Sequence, residues 1–196
     1  MHDKNIVCFT DLDEKGRQEA VEVFVDGFGH MLTFAKTKDE LLRLYAEAFE
    51  EELVYVYVTN NRIGGIIGLG TNTKRPIKID KQLCEELFGT RKGRMVYNMI
   101  LKRDEKPAVK KATDLYVDFL ATNVKMRKQR IATKMLAFAC EMPQYNEIYL
   151  DVLSKNVSAI KLYESLEFVV YKKTFNIFTF TQGLGRPLLM KKPTAK

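Results

Sequence analysis

A basic segment between a predicted strand and a predicted helix carries the residues best suited to bind an anion. Arg127, Lys128 and Arg130 follow an apolar strand that ends at Thr122, and they precede a helix that begins near Ile131. The first N–H groups of a helix lack partners within the helix, and the helix dipole places positive charge there. Basic side chains at such a helix start add charge-assisted hydrogen bonds. The segment therefore predicts a phosphate-binding site.

A second segment places polar side chains on a helix that follows a later strand. Asn156 stands at the predicted helix start, and Tyr163 lies on the helix in an apolar stripe with Ile160 and Leu166. Asparagine is a frequent N-cap residue. A tyrosine hydroxyl can donate a proton without itself being charged in the reactant state. These residues alone leave Asn156 as a cap and Tyr163 as either a core aromatic or a proton donor.

Both segments resemble signatures of the GNAT superfamily of N-acetyltransferases. The run Arg127-Lys128-Gln129-Arg130-Ile131-Ala132 is similar to the pyrophosphate-binding motif Gln/Arg-x-x-Gly-x-Gly/Ala. The run from Asn156 to Phe168 matches Asn-x-x-Ala-x-x-x-Tyr-x-x-x-Gly-Phe at its Asn, Ala, Tyr and Phe positions, and this match is the more specific. The resemblance is good from Ala112 onwards and extends over residues 1–71 only as an order of elements.

The resemblance implies that acetyl-coenzyme A is the acyl donor and that an amine, on a small molecule or a protein, is the acceptor. Tyr163 would be the general acid that protonates the departing thiolate, and the Asn156 amide would bridge the strand end and the pantetheine arm. The remaining donor contacts would come from the central strand and the helix start, and the implied residues are Leu120, Ala121, Thr122, Arg127, Lys128, Gln129, Arg130, Ile131, Ala132 and Thr133. No metal is expected.

Two positions depart from the family pattern. Arg130 stands where the first glycine of the pyrophosphate motif is expected, whereas Ala132 is a tolerated replacement for the second. Glycine at the first position lets the backbone approach the pyrophosphate closely. Glu167 replaces the glycine at the end of the second motif, where a left-handed backbone costs a non-glycine residue about 1 kcal/mol. We expect Arg130 to affect donor affinity rather than the fold.

The general base and the acceptor site are less defined by the sequence. Asp118 lies two residues before Leu120 on the central strand, so simple alternation predicts that it shares a face with Leu120 and Thr122 and can accept the amine proton. Asp114 is the competing base, and water chains are a third route. His30, in the bend between the first two helices, is either a candidate acceptor contact or a structural residue. The aromatic residues Tyr171, Phe175 and Phe178 are candidates for a wall of the acceptor site, with core packing as the alternative for at least some of them.

Hydrophobic periodicity predicts alternating strands and helices along the chain. Strands are expected at 6–9, 54–58, 63–69, 115–122, 147–153, 168–180 and 184–190, and helices at 13–28, 38–49, 81–88, around 95–100, 131–141 and 157–166. The pair Asn60-Asn61 predicts a tight hairpin turn. This order predicts an α/β domain over residues 1–196, with a GNAT-like, mostly antiparallel central sheet flanked by helices. A helical insertion at about 73–111 is a candidate for substrate recognition or homodimer formation.

Composition narrows the class of protein. The chain has 196 residues, 46% of them hydrophobic and 29% charged, and three cysteines without a Cys-x-x-Cys pair. No apolar run is long enough to span a bilayer, and no signal peptide is evident, so a cytoplasmic protein with reduced thiols is expected. The net charge of +7 favours polyanionic partners. A basic nucleic-acid-binding module and a catalytically weak acyl-coenzyme A sensor are therefore the alternative interpretations.

Overall fold

A computed structural model describes residues 3–104 and 106–194. Within these residues the strands are β1 (Ile6–Cys8), β2 (Val54–Thr59), β3 (Arg62–Gly70), β4 (Asp114–Thr122), β5 (Glu147–Leu153), β6 (Val169–Lys173) and β7 (Pro187–Pro193). The helices there are α1 (Glu14–Phe28), α2 (Lys38–Tyr45), α3 (Lys81–Phe88), α4 (Thr90–Asp104), α5 (Ile131–Cys140), α6 (Val157–Ser165) and α7 (Ile177–Thr181).

The strands form one sheet in the order β1-β2-β3-β4-β5-β7-β6. The β4–β5 pair is parallel because α5 carries the chain across one face between them, and the other neighbouring pairs are antiparallel. Asn60 and Asn61 both have positive φ, as a tight hairpin between β2 and β3 requires. The predicted mixed, mostly antiparallel sheet flanked by helices is confirmed.

Apolar residues cover both faces of the sheet. On one face, Phe24 of α1 contacts the rings of Tyr45, Phe49 and Phe119 at centroid distances of 4.7, 5.4 and 4.9 Å. On the other face, α5 packs on the sheet through buried side chains such as Met135, and α6 contributes partly buried residues. The sheet is thus held between α1 and α2 on one side and α5 and α6 on the other.

Helices α3 and α4 occupy the predicted insertion between β3 and β4. Its two ends meet, since the N–H of Ala108 donates to the carbonyl oxygen of Thr71 at 3.1 Å. Phe88 of α3 packs edge-on against Phe34, in the bend between α1 and α2, at 5.6 Å. The insertion therefore lies beside the α1–α2 bend.

Some predicted element bounds are wrong. The predicted strand 168–180 ends at Lys173, because Asn176 starts a helical turn by accepting the N–H of Thr179 on its side chain and that of Phe180 on its carbonyl oxygen. Local capping here outweighs a high β-propensity. The predicted helix 38–49 ends at Tyr45, and Phe49 pairs instead with Ile77 of the insertion. The last strand begins at Pro187 rather than residue 184.

Candidate active site between β4 and β5

The sheet opens between its two parallel strands. Cα pairing of β4 with β5 runs from Asp114 opposite Glu147 to Val117 opposite Leu150 and ends there. Each strand continues beyond that point, because β3 supports β4 as far as Thr122 and β7 supports β5 as far as Leu153. The result is a gap whose two walls are each held by a neighbouring strand.

The β4 wall presents backbone groups to this gap. The N–H of Asn123 donates to the carbonyl oxygen of Gly64 in β3 at 2.9 Å. Backbone groups of successive residues in a strand point to opposite edges, so those of Leu120 and Thr122 point away from β3. Ala121 packs its side chain against α1, close enough that a Cβ on Gly27 would lie 2.7 Å from the Ala121 Cβ. Of the predicted strand residues, Leu120 and Thr122 thus face the gap, whereas Ala121 faces β3 and α1.

A β-bulge changes which face Asp118 occupies. Leu69 pairs with Val117 and Gly68 pairs with Phe119, which leaves Asp118 as an extra residue in β4. A Cβ on Gly70 would lie 2.3 Å from the Asp118 carboxylate, and Gly70 points to the face opposite Leu69. The predicted shared face of Asp118 with Leu120 and Thr122 is therefore wrong, because the bulge interrupts the alternation.

Asp118 is held by an arginine that the sequence did not single out. A guanidinium nitrogen of Arg75 lies 2.5 Å from Asp118 Oδ1, and the two side chains are 12% and 1% exposed. The same guanidinium lies 5.4 Å from the centroid of the Tyr116 ring. Arg75 comes from the segment between β3 and α3, so this buried pair ties the start of the insertion to the bulge.

A hydrogen-bonded pair from β4 and β5 stands where the gap begins, and its charge influences a tyrosine of α6. The Tyr116 hydroxyl of β4 donates to Asp151 Oδ1 of β5 at 2.5 Å. Tyr163 projects from α6 in a partly buried position, with its ring 6.1 Å from that of Phe168. Burial raises the pKa of Tyr163 to about 12, with a further contribution from the negative charge of Asp151. Tyr163 is therefore a neutral phenol at physiological pH and can donate a proton.

Asn156 serves as the cap of α6. Its Oδ1 accepts the N–H of Ala159 at 3.2 Å and the hydroxyl of Ser158 at 3.1 Å. These bonds occupy the oxygen of the amide and leave the NH₂ group directed elsewhere. The cap fixes the start of α6, and hence the position of Tyr163 two turns later.

The predicted phosphate site forms a pocket at the start of α5. Its volume is about 260 Å³, and its walls are Thr122, Met126, Arg127, Lys128, Arg130, Ile131, Ala132 and Thr133. The side chain of Ile131 is buried, so its contribution is its backbone N–H. Gln129 is exposed and lies outside this lining. The pocket adjoins the gap at Thr122, which belongs to both.

The backbone before α5 turns sharply at two basic residues. Lys128 and Arg130 have φ of 64° and 59°, and Arg130 is the left-handed N-cap residue of the helix. Left-handed backbone is the conformation for which glycine is favoured, which explains the glycine of the family motif at the position of Arg130. Arg130 adopts this left-handed conformation although it is not a glycine.

Helix α5 is fixed closely against the sheet. A Cβ on Gly65 of β3 would lie 2.8 Å from Ile131 Cγ2 and 2.9 Å from Met135 Sδ. On the same helix, Lys134 donates to the Tyr57 hydroxyl at 2.6 Å and pairs with Asp3 at 3.2 Å. The ammonium of Lys134 is thus engaged with β2 and the N-terminal segment rather than with the pocket.

The other predicted residues lie outside the lining of the pocket at the start of α5. Asp114 is buried at the paired end of β4, about 13 Å along the strand from Asp118. His30 is exposed, and Tyr171 and Phe175 are 46% and 59% exposed on and after β6, so they do not belong to the core. The side chain of Phe178 lies outside the described part of the chain. Asp114 thus lies at the paired end of the strand, away from the gap, and an acceptor contact by His30 stays a prediction.

Metal-binding clusters and membrane-spanning helices are both absent from the part of the chain that the structure describes. Among residues 3–104 and 106–194, no group of three or more His, Cys, Asp or Glu side chains is arranged to hold a metal ion. Over the same residues, none of the helices combines the length and the hydropathy that crossing a membrane requires.

Comparisons with known proteins agree with this geometry. The chain matches the model of the acetyltransferase (GNAT) family over residues 22–168. A search of curated protein sequences finds no significant match.

Solved structures resemble the whole chain. An N-acetyltransferase from Staphylococcus aureus Mu50 is 18% identical with a TM-score of 0.59, covering 92% of this chain and 97% of that one. A structure titled histone acetyltransferase HPA2 and related acetyltransferase, from Corynebacterium glutamicum, is 18% identical with a TM-score of 0.60 and coverages of 98% and 97%. The ribosomal-protein-S18-alanine N-acetyltransferase of Escherichia coli is 13% identical, with a TM-score of 0.56 and coverages of 97% and 94%. At these identities the likeness shows the fold, and together with the family match it establishes that the chain belongs to the GNAT family of acetyltransferases.

Proposed function

We propose that the protein transfers the acetyl group of acetyl-coenzyme A directly to a primary amine, with Tyr163 as the general acid. The observation that carries this proposal is the continuity of two features. The gap between β4 and β5 opens at Thr122 into the pocket at the start of α5. An extended arm ending in a pyrophosphate fits an elongated polar edge that leads to a helix N-terminus.

The donor side is supplied mainly by backbone groups. Acetyl-coenzyme A supplies an activated thioester when it is bound. The groups of Leu120 and Thr122 that point away from β3 bind its extended arm as a neighbouring strand would. The first N–H groups of α5, with Arg127, Lys128 and Arg130, bind the pyrophosphate, and the NH₂ of Asn156 binds from the opposite wall.

The protonation state of Tyr163 supports its role as the general acid. Its raised pKa keeps the phenol protonated over the whole physiological range. A positioned general acid typically contributes 10²–10⁴-fold to a reaction rate. In this proposal Tyr163 gives its proton to the sulfur as the thiolate leaves.

Asp118, which the sequence predicted as a candidate general base, has a structural role in the proposal. Its Oδ1 already lies against Arg75, and its carboxyl group is almost fully buried. We assign it to holding the bulge, and thus the end of the β4–β5 pairing, rather than to taking the amine proton.

The proposal also includes a cytoplasmic location. Cys8, Cys84 and Cys140 are free thiols. Free thiols persist in a reducing compartment.

The test measures donor binding and turnover separately. Acetyl-coenzyme A at 100 times its Kd is expected to stabilise the fold by about 2.7 kcal/mol, which raises Tm by roughly 5–10 °C. An amine panel assayed by release of the coenzyme A thiol then measures transfer. Binding without transfer to any amine would support a sensor instead. Retention on RNA that fades with salt and is unaffected by acetyl-coenzyme A would support a nucleic-acid module.

A further inference from the structure

One carboxylate at the mouth of the gap differs from its neighbours. Asp151 is exposed and lies just past the last β4–β5 pair, on the face of β5 opposite the buried Leu150 and Val152. Its recorded partner is the hydroxyl of Tyr116. Among residues 3–104 and 106–194, Asp151 takes part in no salt bridge.

Two basic residues near Asp151 are already paired with other carboxylates. Lys191 lies 2.7 Å from Glu147 Oε1, and Arg75 pairs with Asp118. Leu189 of β7 pairs with Asp151 on one side and with Lys172 of β6 on the other. Lys172 therefore lies on the same face as Asp151, two strands away, and the two backbones are roughly 10 Å apart. Lys172 is exposed at the sheet edge, where water and salt screen it. Asp151 therefore keeps a negative charge without a contacting cation, in a chain of net charge +7.

Tyrosines surround Asp151 on the same face. Tyr116 contacts it directly, and Tyr149 on the same strand packs edge-on against Tyr171 at 5.7 Å. The charge of Asp151 reaches Tyr116, Tyr163 and Tyr171, because it adds to the effect of burial in raising the pKa of each. A carboxylate bordered by aromatic rings is a suitable environment for an organic cation.

We propose that Asp151 is the acceptor-binding residue, and that its carboxylate takes the primary ammonium group of an organic cation with an apolar or aromatic body. This inference rests on the proposed acetyl transfer and identifies its acceptor side. Tyr116 is the positioning residue, because its hydroxyl holds Oδ1 of Asp151. The bound ammonium meets the second oxygen.

The proton transfers are then complete. Asp151 accepts one proton from the ammonium, which leaves a neutral amine as the nucleophile. The new N–C bond forms and the C–S bond breaks, and Tyr163 passes its proton to the sulfur. The second proton lost by the nitrogen restores the Tyr163 phenol, and Asp151 releases its own proton to water. The products are an amide and a free thiol.

The test uses two probes of nearly equal shape. Tyramine carries an ammonium group, whereas tyrosol carries a hydroxyl at the same place. Their binding to the full chain saturated with coenzyme A is measured by calorimetry. A hydrogen bond to a charged group is worth about 1.5–3 kcal/mol, so tyramine is expected to bind about tenfold or more tightly than tyrosol. Asp151→Asn is expected to remove this preference and to leave tyrosol binding within about twofold.

Matched variants separate a specific role from a general loss of charge. Glu164→Gln removes an exposed carboxylate next to Tyr163 and is expected to change neither probe. Tyr116→Phe is expected to weaken tyramine binding less than Asp151→Asn does, and acetylation of tyramine follows the same order. Equal affinity for the two probes, no tyramine binding, or unchanged binding in Asp151→Asn would overturn the inference. Failure of coenzyme A itself to bind overturns the proposed function, and the cofactor titration shows this independently.

Discussion

The two signature segments build the site in different ways. Residues 127–133 except Gln129 line one pocket at the start of α5, where the first N–H groups of the helix lack partners within the helix. The segment from Asn156 to Phe168 works through side chains with separate tasks. Asn156 caps α6, Tyr163 is partly buried with its ring near that of Phe168, and Phe168 is 2% exposed in the core.

Both departures from the family pattern, Arg130 and Glu167, fall at positions where backbone conformation matters more than the side chain. A site made of backbone groups depends on the chain direction, so it accepts Arg130 as long as the left-handed turn is kept. A segment made of side chains depends on their chemistry, and there Asn156, Ala159, Tyr163 and Phe168 all match. The one departure in that segment, Glu167, is again at a position with positive φ, where backbone conformation is what counts.

The largest expected effect tests the side-chain segment. Tyr163→Phe removes one hydroxyl, and we expect kcat to fall by about 100-fold or more, because a positioned acid contributes at least that much. The Kd for acetyl-coenzyme A should stay within about threefold, since an uncharged hydroxyl contributes little net binding energy. Thiol-release kinetics and a thermal-shift titration measure the two quantities. An unchanged kcat would reduce Tyr163 to a packing residue.

A smaller effect tests the backbone-built pocket. Ala132→Asp places a negative charge in the first turn of α5, where it stabilises the helix by about 0.3–1 kcal/mol. The same charge repels a pyrophosphate, so donor affinity should fall by about tenfold or more. The Tm without ligand is thus expected to rise while the affinity for the donor falls, and Ala132→Ser is the neutral control. Unchanged donor affinity in Ala132→Asp would show that the pyrophosphate does not bind at the start of α5.

Relief of backbone strain is expected to stabilise both segments by about 1 kcal/mol, and only donor binding is expected to distinguish them. A left-handed non-glycine residue costs about 1–2 kcal/mol, and glycine returns part of this as chain entropy. Arg130→Gly and Glu167→Gly should each raise Tm by about 1–3 °C. Only Arg130→Gly should also weaken donor binding, because it removes a cation from the pocket. Loss of stability in both variants would show that the left-handed turns are unstrained.

The smallest expected effect is a flat pH profile. The pKa of Tyr163, about 12, lies above its ordinary value, so the phenol stays protonated and kcat should not fall on its account between pH 8 and 10. The linked stability is complete below about pH 10 and is lost as pH rises towards 12. Turnover measured against pH with saturating substrates checks this. A decrease in kcat near pH 9 that is absent from Tyr163→Phe would contradict it.

Much of the site could be predicted because its residues are close in sequence. The helix start at Ile131, the cap at Asn156 and the hairpin at Asn60 all follow from short-range rules. The left-handed conformation at Glu167 was also expected, since it stands where a glycine is typical, whereas the one at Arg130 was not.

Other features depend on pairing that no short pattern carries. The bulge at Asp118 comes from the register of β4 against β3, and it moved that carboxylate to the other face. Arg75 meets Asp118 only because the insertion folds back on the strand. Asp151 could have been noticed as a polar residue alternating with Glu147 and Tyr149, but its place at the end of the pairing required the register of β5. The role of the insertion stays a prediction.

The early end of the β4–β5 pairing leaves a sheet with an internal edge. An occupant of the gap supplies hydrogen-bond partners that a continuous strand would have supplied, so it restores the continuity of the sheet as well as reacting. Amide hydrogens of Leu120 and Thr122 should therefore exchange with deuterium rapidly in the free protein and slowly once the donor is bound. Under the proposed function, the donor is thus a temporary part of the fold, and the sheet is continuous only while the donor is bound.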